Sequence, residues 1–182
     1  MAKNKIEKNN IGFPKNQGLY DSSNEHDSCG VGFIVDTKNH ASHDIVSKGL
    51  SMLCNLEHRG AVGADPKAGD GSGILIQLPH EFFKKEISHF DLPNKNEYAV
   101  GVLFIKKNDN LKDKILKKIE DVCDKENIPF LGWRLCPTYE EELGWSVKPT
   151  TPYVYHLFVG KPENIQKQDD FERKIYVLDY KA

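Results

Sequence analysis

Five glycines fall within the fourteen residues 60–73, at Gly60, Gly63, Gly69, Gly71 and Gly73, together with Pro66. Such a density of glycine forbids regular structure and marks a loop. It separates two segments of different period. Upstream, Ile45, Val46, Leu50, Leu53, Cys54 and Leu56 recur at helical spacing. A helix is expected there, ending near His58-Arg59-Gly60, where Gly60 can stop it. Downstream, Gly73-Ile74-Leu75-Ile76-Gln77-Leu78 reads as a strand. Ahead of both, Val31-Gly32-Phe33-Ile34-Val35 is short, apolar and β-rich, as in a buried strand.

The remaining elements follow the same logic. Pro79 opens a short helix through Phe82, Phe83, Ile87 and Phe90. Tyr98 to Ile105 reads as a strand. Residues 111–123 place Leu111, Ile115, Ile119, Val122 and Cys123 on one helical stripe. Phe130–Leu135 and Tyr153–Val159 are two more strands, and the tail from Phe171 to Leu178 is expected to be helical. Alternation of strand and helix argues for layered sheet and helix, and by itself for a parallel α/β sheet. No internal repeat or domain boundary is visible. Residues 1–20, rich in Asn and Lys, read as a leader outside the core, with order beginning near Cys29.

With 182 residues, a compact body can bury roughly 70% of its unfolded surface, so it needs no staples. The 25 basic and 27 acidic residues leave a net charge of −2. That balance offers no electrostatic footprint for nucleic acid and no strong pull to an anionic membrane. The run Lys112, Lys114, Lys117 and Lys118 is interleaved with Asp113, Glu120 and Asp121, and reads as a solvated helix face. No stretch approaches the roughly 20 apolar residues of a membrane span. The four cysteines, Cys29, Cys54, Cys123 and Cys136, form no C-x-x-C pair. Metal or cluster ligation is therefore not expected in this segment, and free thiols in a cytoplasmic setting are.

Cys29 stands between Asp27-Ser28 and Gly30-Val31-Gly32. Small neighbours allow close approach to its thiol, as a nucleophile requires, although an ordinary buried cysteine fits the local sequence as well. His58 leaves room for a Cys/His thiol enzyme. The loop Gly69-Asp70-Gly71-Ser72-Gly73 lacks the lysine of a phosphate-binding loop, and Asp65 and Asp70 miss calcium-loop spacing. It reads as a tight turn, with Asp70 fixing its backbone. Trp133, Trp145 and the run Tyr153, Tyr155 and Phe158 read as packing residues.

Three segments, in this order, carry a family resemblance. They are Glu25 to Phe33, then Leu56-Glu57-His58-Arg59-Gly60-Ala61, then Ala64-Asp65 with Gly69 to Leu75 running into Gln77-Leu78-Pro79-His80. Gly18-Leu19-Tyr20-Asp21 and Leu131-Gly132-Trp133-Arg134 extend it. Together they resemble the amino-terminal region of glutamate synthase large subunits, which are class II glutamine amidotransferases.

The resemblance implies an α+β fold, the four-layer αββα sandwich of amino-terminal-nucleophile hydrolases, in place of the parallel sheet. It implies a leader, residues 1–28, removed to leave Cys29 first in residues 29–182. It implies Cys29 as nucleophile, its freed α-amino group as base, and support from Gly30, Arg59 and Asp70. Glutamine is the implied substrate. The implied partners are the remainder of the large subunit and a small reductase subunit. FMN and an iron–sulfur cluster are implied elsewhere in the family's longer chains. The family's oxyanion Asn-Gly pair and substrate clamps lie later in the domain, and no matching motif precedes Ala182. The expectation is therefore a fragment, incomplete at its C-terminus and inactive alone. A noncatalytic binding module or another class II amidotransferase are the alternatives.

Overall fold

A computed structural model describes residues 17–19, 21, 30–56, 64–69 and 71–181. The chain divides into two compact units, Met1–Ala61 with Asp70–Ile74, and Val62–Gly69 with Leu75–Ala182. The sequence shows no trace of that division.

In the first unit the described element is α1, His43–Asn55, entered from an extended Ser42 and closed at Leu56. It stops short of Gly60, which lies outside the described residues together with the rest of the expected stop. The expected strand at Val31–Val35 is not a strand. The segment has no ladder partner among the described residues, and Val31, Phe33 and Val35 are 92%, 87% and 69% exposed. Gly32 lies against α1 so closely that a Cβ there would sit 2.3 Å from Met52 Sδ. A Cβ on Gly49 of α1 would likewise meet Ile74 Cδ1 at 3.0 Å. The second expected strand, Gly73–Leu78, also lacks a ladder, and Leu75 is fully exposed. Apolar β-prone residues make a strand only where another strand supplies donors and acceptors, and neither run has one among the described residues.

The second unit holds α2 (His80–Glu86), β1 (Tyr98–Lys106), α3 (Asp109–Lys125), β2 (Phe130–Leu135), β3 (Pro152–Gly160) and α4 (Gln168–Lys181). Two single 3-10 turns, Glu140–Glu142 and Lys148–Thr150, lie between β2 and β3. The three strands form one antiparallel sheet in the order β1-β3-β2. The parallel sheet suggested by alternation is therefore corrected. Strand and helix do alternate, but β3 returns between β1 and β2 and runs against both.

α3 begins at Asn108, whose side chain accepts from the Leu111 amide at 3.1 Å, an N-cap. Its stripe buries Ile119 and Cys123. It ends where Asn127 turns left-handed at φ 52° and the Ile128 amide reaches back to the Cys123 carbonyl at 2.9 Å. Two lysines of the basic run on α3 are paired along the helix, Lys117 to Asp121 at 3.2 Å and Lys112 to Asp109 at 3.3 Å.

Strand alternation sorts the sheet into two faces. On one, Leu157 and Val159 of β3 pack with Ile119 and Cys123 of α3 and Leu178 of α4. Trp133 joins this face and donates from Nε1 to Glu120 Oε1 at 2.9 Å. On the other, Tyr98 and Phe158 pack with Phe83 and Ile87. Phe158 is fully buried, and such burial contributes about 1.5–3 kcal/mol. Phe90 lies over β2 at Gly132, where a Cβ would come within 2.4 Å of its ring, so only glycine fits. Further along this face Val102 and Phe104 are 54% and 72% exposed. Trp145, expected to pack, is 72% exposed, because it lies in a loop and not on the sheet.

Candidate functional site

Of the residues expected to carry chemistry, Cys29, Arg59 and Asp70 lie outside the described residues, as does His58. Gly30 is described. A Cβ on it would meet Leu56 Cδ1 and Cδ2 at 3.1 Å, tighter than ordinary packing allows. The residue after Cys29 and the residue three before Arg59 are therefore in direct packing. The described flanks of the first two motifs meet, and glycine at 30 and 32 is what lets the segment lie on the end of α1.

The third motif is held differently. Asp65 is 5% exposed, the buried charged residue among those described. Its Oδ2 accepts from the Ser146 amide and from the Ser146 hydroxyl, both at 2.8 Å. Its Oδ1 accepts from the Lys67 amide at 3.1 Å, and its carbonyl from the Ala68 amide at 3.0 Å. Together these bonds close a turn within residues 64–69 and tie it to the loop after the Glu140–Glu142 turn. Gly144 makes room for the carboxylate, since a Cβ there would lie 2.4 Å from Oδ2. The Ser146 amide, chiefly, holds the Asp65 carboxyl below its ordinary value, against the opposing effect of burial. The pairing of Asp65 with Gly144 and Ser146 was missed from sequence. Its one signal was an aspartate in a loop made mostly of small residues.

The other thiols have distinct surroundings. Cys123 is wholly buried, and burial pushes its thiol up to about 11. Burial also raises Cys136, which receives the Arg134 guanidinium at 3.9 Å. Cys54 is exposed on α1. Thiolate, not thiol, is the nucleophile, so Cys123 and Cys136 are poor candidates for one. A hollow of about 390 Å³ is lined by Lys107, Cys136, Glu140 and Tyr153, among others. Its charge is already spent, because Lys107 pairs with Glu140 and Tyr153 donates to Asp109 at 3.0 Å. No group of His, Cys, Asp and Glu among the described residues is arranged to hold a metal. No described helix is long and apolar enough to cross a membrane.

Residues 29–182 match the family described as Glutamine amidotransferases class-II. The chain belongs to that family. It is 41% identical over 166 residues to the glutamate synthase [NADPH] large chain of Bacillus subtilis. It is 39% identical over 178 residues to the glutamate synthase [NADH] of Saccharomyces cerevisiae, and 37% over 164 residues to ferredoxin-dependent glutamate synthase 2, chloroplastic, of Arabidopsis thaliana. These alignments cover 91%, 91% and 87% of this class II amidotransferase chain, but only 11%, 8% and 10% of the three relatives. The amidotransferase thus spans about a tenth of the length of the relatives it matches. The resemblance to the amino-terminal region of glutamate synthase large chains, carried by the three motifs, is borne out.

Proposed function

We propose that this amidotransferase performs the glutaminase half of a glutamate synthase, releasing ammonia from glutamine for the conversion of 2-oxoglutarate to glutamate. The observation that carries the reading is where the family match begins, at Cys29. In the proposed reaction, cleavage after Ser28 removes residues 1–28 and frees the Cys29 α-amino group. An α-amino group titrates near about pH 8 and can accept the thiol proton, which an amide nitrogen cannot. The thiolate adds to the side-chain amide carbon of glutamine. The C–N bond breaks, ammonia leaves with a proton, and a glutamyl thioester remains. Water then hydrolyses the thioester to glutamate and the free thiol. Arg59 supports the thiol electrostatically, Gly30 admits the backbone close to it, and Asp70 fixes the turn of the glycine loop.

The same reading assigns residues 29–182 to the first part of a four-layer αββα sandwich. Each unit, taken by itself, leaves apolar side chains exposed. In the second, α3 and α4 cover one sheet face while Val102 and Phe104 stand bare on the other. In the first, Gly32 lies against α1 while Val31, Phe33 and Val35 are exposed. FMN and an iron–sulfur cluster belong, on this reading, to other parts of a glutamate synthase. The electron donor does too, since relatives named for NADPH, NADH and ferredoxin match this region about equally well. A cytoplasmic setting and the reductase partner are part of the same proposal.

The test uses the full-length gene product, because residues 1–182 are expected to be inactive alone: its intact mass is measured before and after incubation with 6-diazo-5-oxo-L-norleucine, a glutamine analogue that alkylates such thiols. Loss of residues 1–28 with one adduct on Cys29 is the expected result. A full-length product that keeps its leader and takes no label would overturn the reading.

A further inference from the structure

The connection between β2 and β3, residues 136–151, is long for a compact domain. Connections above about 12–15 residues usually either carry a function or are disordered. This one is shaped by hydrogen bonds in place of a strand or an α-helix. Its first turn starts at Tyr139, whose carbonyl accepts from the Glu142 amide at 3.3 Å. In its second, the Gly144 carbonyl accepts from the Val147 and Lys148 amides, both at 3.2 Å. The Ser146 amide finds its acceptor outside that turn, in the Asp65 carboxylate at 2.8 Å, much as a helix amide is met by an N-cap side chain. Gly144 and Ser146 are thus both clamped against Asp65. The first lies beneath the carboxylate with no room for a Cβ, and the second is held by its amide and its hydroxyl.

Between these two fixed residues stands Trp145, 72% exposed, with no partner for its indole N–H among the described residues. Tyr139, in the same connection, is 84% exposed. Trp133 is placed in the ordinary way, half-buried against the core of α3 with its N–H on Glu120. An indole in water forgoes the gain of burial, and one carried on backbone already fixed loses little freedom when a partner covers it. Tryptophan and tyrosine anchor interfaces because each fills an apolar pocket and keeps a polar tip to bond. The alignments cover most of this chain but only about a tenth of its relatives, so on the glutaminase reading the large partner at hand is the remainder of the same chain.

We propose that Trp145, with Tyr139 beside it in sequence, is a docking anchor of the second unit for the remainder of a glutamate synthase chain. The partner face supplies an apolar pocket for the indole and an acceptor for its N–H. The proposal rests on the glutaminase reading, within which it names a surface that meets the partner.

The experiment uses the full-length gene product, as wild type, Trp145→Ala and Asp65→Asn. Hydroxyl-radical footprinting, read by peptide mass, gives the oxidation rates of Trp145 and Tyr139 in native protein and in urea. An anchoring side chain sits in a fully desolvated pocket, so native Trp145 should oxidise about tenfold or more slowly than in urea. In Trp145→Ala, native Tyr139 should oxidise several-fold faster than in wild type, because the anchor beside it is gone. Asp65→Asn frees the turn, which trypsin cleavage after Lys67 reports, and should raise native Trp145 oxidation by a smaller factor. A native Trp145 rate near that in urea overturns the anchor, as does a Tyr139 rate unmoved in Trp145→Ala. Protection that falls on dilution overturns it too, by assigning the pocket to a second copy of the chain. Labelling of the same wild type by 6-diazo-5-oxo-L-norleucine keeps the two readings apart. A labelled protein with an exposed Trp145 overturns the anchor alone, and a protein that takes no label overturns the glutaminase reading whatever Trp145 shows.

Discussion

The Asp65 carboxylate and Ser146 are bonded twice at 2.8 Å, through the serine amide and hydroxyl, across 81 residues of chain. A contact with that separation carries the entropic cost of closing a long loop. It joins one of the three quoted motifs to a segment that lies outside them.

Acid should open this contact. The Asp65 carboxyl is held below its ordinary value of 3.8, chiefly by the Ser146 amide. A depressed folded value means that the unfolded chain binds the proton first. The stabilisation is fully present above the ordinary value and lost as pH falls through the folded one. Urea midpoints between pH 6 and pH 3 should therefore fall less steeply for Asp65→Asn than for wild type. Parallel curves would show that the carboxylate contributes nothing to acid sensitivity.

Gly144→Ala tests the same contact from beneath. A Cβ would lie 2.4 Å from Oδ2, and the carboxylate is fixed by three bonds and cannot swing away freely. The variant should raise trypsin cleavage after Lys67 as Asp65→Asn does, and combining the two should add nothing further. Additive effects would mean that Gly144 serves some other purpose.

The elements with a complete local signal were legible in the sequence. α3 has its cap at Asn108 and its stripe from Leu111 to Cys123, and β2 has its bounds where the apolar run begins and ends. What misled was dependence on partners. Val31–Val35 has all the β-propensity of Phe130–Leu135, yet only the second run pairs with β3, and propensity does not say where a partner will be. The parallel sheet failed for a related reason, since alternation of helix and strand leaves open the direction in which β3 enters between β1 and β2. Of the proposed site, Cys29, Arg59 and Asp70 rest on resemblance and lie outside the described residues, while Gly30 is seen to pack against Leu56. The Asp65 clamp was not legible, because its two ends share no local pattern.

His156 makes the second unit sensitive to mild acid. Its Nδ1 is buried with no hydrogen-bond partner among the described residues, and its ring stands edge-on to Phe83 at 5.5 Å. Burial first, and the Arg134 charge second, hold its pKa below the ordinary 6.5. The unfolded chain therefore takes up the proton first as pH falls, so stability is present above 6.5 and declines below it. His156→Leu should flatten the change in urea midpoint between pH 7.5 and 5.5, at little cost near neutrality, because it removes an unsatisfied buried atom. An unchanged slope would assign the decline to another group.

Phe158→Ala should destabilise the second unit by about 3–5 kcal/mol, the range for a fully buried aromatic ring. The ring is 0% exposed and packs against Phe83 at 5.0 Å, Phe90 at 5.4 Å and Tyr98 at 6.2 Å between centroids. Denaturant titration measures the loss. A cost under about 1 kcal/mol would place it among surface substitutions and deny this face its role as core.

Thiol labelling separates the nucleophile from its neighbours, and it can be followed by peptide mapping after timed exposure to iodoacetamide. Reactivity follows thiolate fraction and access together. Cys123 has neither, being wholly buried with its thiol pushed up to about 11, and should label only on unfolding. Cys136 is half-buried and raised by burial, and should label slowly. Cys54 is exposed and should label readily in the native state. None of the three should take the glutamine analogue, because alkylation by that reagent requires a site that binds the amino acid and not merely an open thiol. Analogue found on Cys54 would mean that the reagent reports exposure alone, and the assignment of Cys29 would then need the fold-dependence of its labelling, measured in urea, to stand.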